Sequence, residues 1–109
     1  MVSFDLVPPL QYVGTDAYRR PWKETFAAFE GPIDYEVRDL EIKAGEGIAF
    51  SHSFNRMAGR TVHGEQTELW VRWTAGWERA SNGWLVTHEQ VSVPIDLETC
   101  HAVLDLTPG

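Results

Sequence analysis

The sequence predicts a single α+β domain in which a curved antiparallel sheet carries one helix on its concave side. Three observations predict it. Apolar residues recur at helical spacing between positions 15 and 31, runs of period two occupy most of the chain from 33 to 93, and neighbouring runs are joined by turn residues. The 109 residues fit one domain, 1–109, that buries roughly two-thirds of the surface its unfolded chain would expose.

Val2 to Leu6 alternates weakly and stops at Pro8-Pro9, which have no backbone donors to give a ladder, so the first element is a short strand. Gly14-Thr15 marks a helix start with Thr15 as N-cap. Tyr18, Trp22, Phe26 and Phe29 then fall on one face until Gly31-Pro32 ends the helix. Pro21, inside it, removes one backbone hydrogen bond and predicts a kink or a loosely attached first turn.

From Ile33 the period becomes two. Ile33, Tyr35 and Val37 share a face, and Leu40 and Ile42 continue the series one position out of phase. An extra residue near Arg38-Asp39 restores the phase, which predicts a β-bulge and a bend in the sheet. Gly45 and Gly47 flank a turn, Ile48 to Asn55 is the next strand, and a polar loop runs from about Ala58 to Gly64.

Glu68 to Arg79 and Trp84 to Val93 are long strands joined by Ala80-Ser81-Asn82-Gly83, a hairpin signal. With Ser81-Asn82 as the turn, Ala75 faces His88, Trp73 faces Gln90 and Val71 faces Ser92 on one surface. The other surface then carries Trp70, Arg72, Thr74, Thr87, Glu89 and Val91, with Arg72 and Glu89 as a cross-strand ion pair. One helix covers such a sheet only in part, so self-association as a homodimer is expected.

Composition narrows the function. With 43% hydrophobic and 12% aromatic residues, including five tryptophans, the chain can fill a core without a disulfide or structural metal. A net charge of −7 and a pI near 4.9, with no Lys/Arg cluster, argue against nucleic acid and against an anionic membrane surface. No apolar run approaches the ~20 residues that cross a bilayer. The single Cys100 and an N-terminus without signal-peptide features point to the reducing cytoplasm.

The segments VSFDLVPPLQYVGTDAYRRPW, IAFSHSFNRMAG and GWLVTHEQVSVP, in this order and spacing, resemble the SnoaL-like and ketosteroid isomerase-like group of the nuclear transport factor 2-like superfamily. The resemblance spans nearly the whole chain. It implies a cone, a cystatin-like α+β barrel, with a deep pocket for a small hydrophobic ligand and a homodimer packed through the outer face of the sheet. Members of the group include isomerases, polyketide cyclases and dehydratases that work without a cofactor, and binding proteins with no catalysis. Family members begin with one or two helices that lid the cone, whereas this sequence starts at the strand that follows them.

Counting back from Gly14-Thr15, Asp5 stands where a ketosteroid isomerase-like protein has its proton-shuttling carboxylate. Beside Phe4, Leu6 and two prolines it would be partly desolvated and a better base; the alternative is an aspartate that caps its own loop. The tyrosine that serves as oxyanion partner in the isomerases lies in the N-terminal helix this sequence lacks. His88 is the second catalytic candidate, with Gln90 and Ser92 as polar anchors two and four residues on; a core histidine satisfied by a neighbouring strand is the competing reading. Glutamine at 90 removes a nitrogen donor, so no metal is expected, and nothing in the sequence calls for a cofactor. His52 alternates with Ser51 and Ser53, and either set can face the ligand. Trp22, Tyr35 and Trp73 are core by their spacing and border any pocket that exists. Two functions follow: proton-transfer chemistry on a small hydrophobic molecule, or a non-catalytic binding or dimerisation module.

Overall fold

The computed structural model describes residues 1–14 and 27–109. The expected helix with Trp22 lies for the most part outside the described residues. The assigned elements are all strands: β1 (Val2–Phe4), β2 (Tyr12–Val13), β3 (Phe29–Ala44), β4 (Ile48–Thr61), β5 (Gln66–Ala80), β6 (Gly83–Ser92), β7 (Ile95–Asp96) and β8 (His101–Ala102). The first six form one mixed sheet in the order β2-β1-β6-β5-β4-β3, and β7 pairs with β8. Neighbours from β3 to β6 are antiparallel, as the sequence predicts, but β1 lies parallel to β6. No helix among the described residues is long and apolar enough to cross a membrane.

The bulge expected near Arg38-Asp39 is present. The β3–β4 register shifts between Arg38 and Glu41, and Asp39 takes a φ of 55°, a conformation that Asp tolerates better than most residues. A second shift between Glu30 and Asp34 accommodates Gly31, at φ 80°, and Pro32. Both fit because β3 is the sheet's edge, where a missing donor costs no ladder bond.

Phe29 corrects the sequence reading: it begins β3 opposite Thr61 rather than closing a helix. Its ring takes the space that Gly59 leaves open, since a Cβ at 59 would come within 2.8 Å of Phe29 Cδ1. The polar loop expected at 58–64 is correspondingly shorter. β4 runs on to Thr61, and the reversal is a turn closed by Gly64 N–H to the Thr61 carbonyl at 2.9 Å.

The larger correction is in the hairpin. Ala80 pairs with Gly83 as expected, and the predicted register holds to Trp77↔Val86. It then shifts by one: Gly76 pairs with His88, Ala75 with Glu89, Thr74 with Gln90 and Arg72 with Ser92. Thr87 is the extra residue. Because successive side chains alternate faces, one unpaired residue exchanges the two surfaces for the rest of β6. His88, Gln90 and Ser92 therefore join Thr74 and Arg72, while Glu89 and Val91 join Ala75 and Trp73. The expected Arg72–Glu89 pair does not form; Arg72 Nε donates to Ser92 Oγ at 3.0 Å.

Candidate functional site

β4 alternates between exposed and buried residues from Ile48 to Asn55, and its buried series is Ala49, Ser51, Ser53 and Asn55. Register places Trp77, Ala75, Trp73 and Val71 beside these on β5, with Glu89 next to Ala75 on β6 and Ser3 next to Glu89 on β1. One face of the sheet thus has a floor of small residues, alanine and serine, between tryptophans. Trp73 and Trp77 meet edge to face, with centroids 6.3 Å apart.

Glu89 is the chemical centre of this face. Its side chain sits on a residue only 4% exposed, and a buried carboxylate persists only if donors satisfy it. Trp73 Nε1 donates to Oε2 at 2.9 Å and Ser3 Oγ donates to Oε1 at 3.2 Å. Each donor comes from a different strand, so the site requires the pairing of β1 and β5 on either side of β6.

A second chain of hydrogen bonds runs along the same face. Ser53 Oγ donates to Asn55 Oδ1 at 2.7 Å, and Asn55 Nδ2 donates to the Tyr35 hydroxyl at 2.6 Å. Having accepted from Asn55, the Tyr35 hydroxyl keeps its own proton to donate. Burial pushes the Tyr35 pKa above its ordinary value against the lowering effect of the Asn55 hydrogen bond, and the negative charge of Glu89 adds to the rise. Trp77 Nε1 is satisfied by Ser51 Oγ at 3.0 Å. The face therefore presents one fixed carboxylate and one neutral phenol among indole rings.

Of the residues singled out in the sequence, Tyr35 and Trp73 are brought together here. Asp5 is not among them: it follows β1 and its Oδ1 accepts from the backbone N–H of Leu6 at 2.7 Å, the loop-capping arrangement. His88, Gln90 and Ser92 stand on the opposite face. His88 Nδ1 lies 2.8 Å from the Val2 carbonyl, which only accepts, so Nδ1 carries the proton, and Phe4 packs edge-on against the ring. His52 is also on the opposite face, exposed, with Nε2 3.4 Å from Glu41. Trp22 lies outside the described residues. Sequence reasoning missed Glu89 and Ser3. It noted the alternation of Ser51, Ser53 and Asn55 without fixing its direction.

The sequence model of a SnoaL-like domain matches residues 1–96. The chain belongs to the SnoaL-like family. A solved NTF2-like protein of unknown function from Pseudomonas putida KT2440 is 33% identical to this SnoaL-like chain, with a TM-score of 0.85 over 99% of it and 75% of the relative. An NTF2-like superfamily protein from Salmonella enterica serovar Typhimurium superposes with a TM-score of 0.73 at 14% identity, covering 87% of this chain and 68% of its own. A ketosteroid isomerase-like protein from Erwinia carotovora atroseptica does so with a TM-score of 0.66 at 17% identity, over 84% and 70%. At those identities the last two establish the NTF2-like fold of the SnoaL-like chain and nothing of its chemistry. No curated protein matches it.

Proposed function

We propose that the protein binds a small, largely apolar carbonyl compound against the Glu89 face and moves a proton on it without a cofactor. The observation that carries the reading is the buried Glu89 carboxylate, held by Trp73 and Ser3 on the same face as a neutral Tyr35 phenol. Glu89 is the base toward a carbon acid. Tyr35 donates to the carbonyl oxygen as charge develops there, and the Asn55 bond fixes the phenol's direction. Ala49, Ser51 and Ala75 form a small-residue floor beside the edge-to-face pair of Trp73 and Trp77. Membership of the SnoaL-like family supports this reading.

Hydrogen–deuterium exchange at the α-carbon of β-tetralone, followed by proton NMR in D2O, tests it. The protein accelerates exchange, Glu89→Gln lowers the rate by at least about 100-fold, and Asp5→Asn leaves it unchanged. Exchange no faster than in buffer, or undiminished in Glu89→Gln, overturns the role of Glu89; loss in Asp5→Asn alone returns the base to Asp5.

A second reading is a binding module without turnover. It is favoured by the two hydrogen bonds to Glu89, because both carboxylate oxygens already have donors within the fold. Retained β-tetralone affinity with no exchange selects this reading. In either case the assembly we propose is a homodimer through the opposite face, where Ile48, Phe50 and Leu85 are exposed.

A further inference from the structure

We propose that the protein self-associates through the free edge of β3, where residues 41–43 of one copy pair antiparallel with the same residues of a second copy about a two-fold axis at Ile42. β3 ends the six-stranded order, so one side of it has no neighbouring strand among the described residues. An edge of this kind is a template for another strand unless something blunts it. The first part of β3 is blunted: Pro32 lacks a backbone donor, and register shifts interrupt the ladder between Glu30 and Asp34 and between Arg38 and Glu41. From Glu41 to Ala44 the ladder to β4 is unbroken, and these residues are exposed, Ile42 at 59%.

The hydrogen-bonding direction of this stretch follows from the turn that ends it. Gly45 N–H donates to the Ile48 carbonyl at 2.8 Å, so Gly45 points its backbone groups at β4. Alternation along an antiparallel ladder points those of Lys43 and Glu41 the same way and those of Ile42 and Ala44 outward. A second copy docked with Ile42 opposite Ile42 exchanges two backbone hydrogen bonds there. Glu41 of each copy then stands opposite Lys43 of the other, in the positions of an antiparallel pair where side chains approach most closely.

Charge selects a second copy as the partner. In the rest of β3 the acids Glu30, Asp34, Glu36 and Asp39 outnumber the one base, Arg38, and the chain carries a net charge of −7, which opposes self-association over most of the surface. Glu41-Ile42-Lys43 is neutral, and reversing its direction exchanges its two charges, so the segment complements itself. Glu41 lies 3.4 Å from His52 Nε2 with its side chain 71% exposed, which leaves the carboxylate able to reach across the edge. The pairing lies in the plane of the sheet and does not use Ile48, Phe50 or Leu85, so it is distinct from the face dimer. Two backbone hydrogen bonds and two exposed ion pairs make a weak contact, formed as the chain approaches millimolar concentration.

The test is sedimentation equilibrium of the full chain from about 10 μM to about 1 mM at low ionic strength, with amide exchange followed over the same range. The mean mass is expected to rise above that of the species present at the lowest concentration. The Ile42 amide exchanges more slowly as it does, while the Lys43 amide, already directed at β4, is unchanged. Glu41→Lys and Lys43→Glu each place like charges in both pairs and weaken this association by about tenfold; an equimolar mixture of the two variants, or both substitutions in one chain, restores it. Glu41→Lys also lowers the net negative charge, so general repulsion predicts tighter association for it and the edge pairing predicts weaker. A mass that stays constant over the range, an Ile42 amide that does not respond, a rise undiminished in Glu41→Lys, or a mixture no stronger than its parts overturns the proposal.

Discussion

Glu89 and Tyr35 set the residue-scale expectations. Removing the carboxylate in Glu89→Ala leaves the Trp73 and Ser3 donors without acceptors in a buried setting, which costs about 1–3 kcal/mol for each group. Urea denaturation reads that loss directly, and Ser3→Ala, which removes only a donor, costs less. Tyr35 gives a pH dependence. Its phenol ionises at higher pH in the folded chain than in the unfolded one, whose ordinary value is about 10, because burial disfavours the phenolate. The unfolded state therefore loses its proton first. The stability contributed by the neutral phenol is complete below about pH 10 and is lost as pH rises through the folded pKa. Urea midpoints above about pH 9.5 should fall more steeply for the unaltered protein than for Tyr35→Phe; equal slopes would deny the phenol its shifted environment. Tyr35 and Trp73 were legible in the sequence because bulky aromatics at strand spacing mark an inward face. Glu89 was not, since a charged residue beside Arg72 in a two-stranded register reads first as an exposed ion pair.

Bulges decide the element scale. The one at Asp39 is legible because β3 has apolar residues at 33, 35 and 37 and then at 40 and 42, so the slip in phase is written in the pattern. The one at Thr87 is hidden because β6 carries apolar residues on both faces, Leu85 on one and Val86 and Val91 on the other, and no phase is broken. Deleting Thr87 tests the assignment of faces. With Thr87 gone, Val86, His88 and Glu89 pair regularly with Trp77, Gly76 and Ala75 and keep their faces, so the deletion should be tolerated within about 1 kcal/mol. A loss above about 4 kcal/mol, as expected if Thr87 were a paired residue whose removal turned Glu89 to the other face, contradicts the register. Gly59 provides a second test in β4. Gly59→Ala pushes a methyl against the Phe29 ring and costs about 1–3 kcal/mol. The penalty vanishes in a Phe29→Ala background, a coupling that a double-mutant cycle measures.

Across the whole molecule, the described residues bury few large apolar side chains: Ala49 and Ala75 are the buried hydrophobics, and Ile48, Phe50 and Leu85 remain 70%, 49% and 57% exposed. These three share the face opposite Glu89. Sedimentation equilibrium at micromolar concentration should give twice the chain mass, and Phe50→Glu should return it to one; a monomer in the unaltered protein rules out the dimer. The parallel contact of β1 with β6 bears on how the protein reaches this state. Residues 2–4 meet residues 88–90, so nearly the entire chain must be made and brought together before Ser3 meets Glu89. Closing a loop of that length is an entropic cost met late, after the sequence-local hairpins β3–β4–β5–β6 have formed. The Ser3–Glu89 hydrogen bond joins the neighbouring strands of the six-stranded sheet that are farthest apart in sequence, so it is expected to form last.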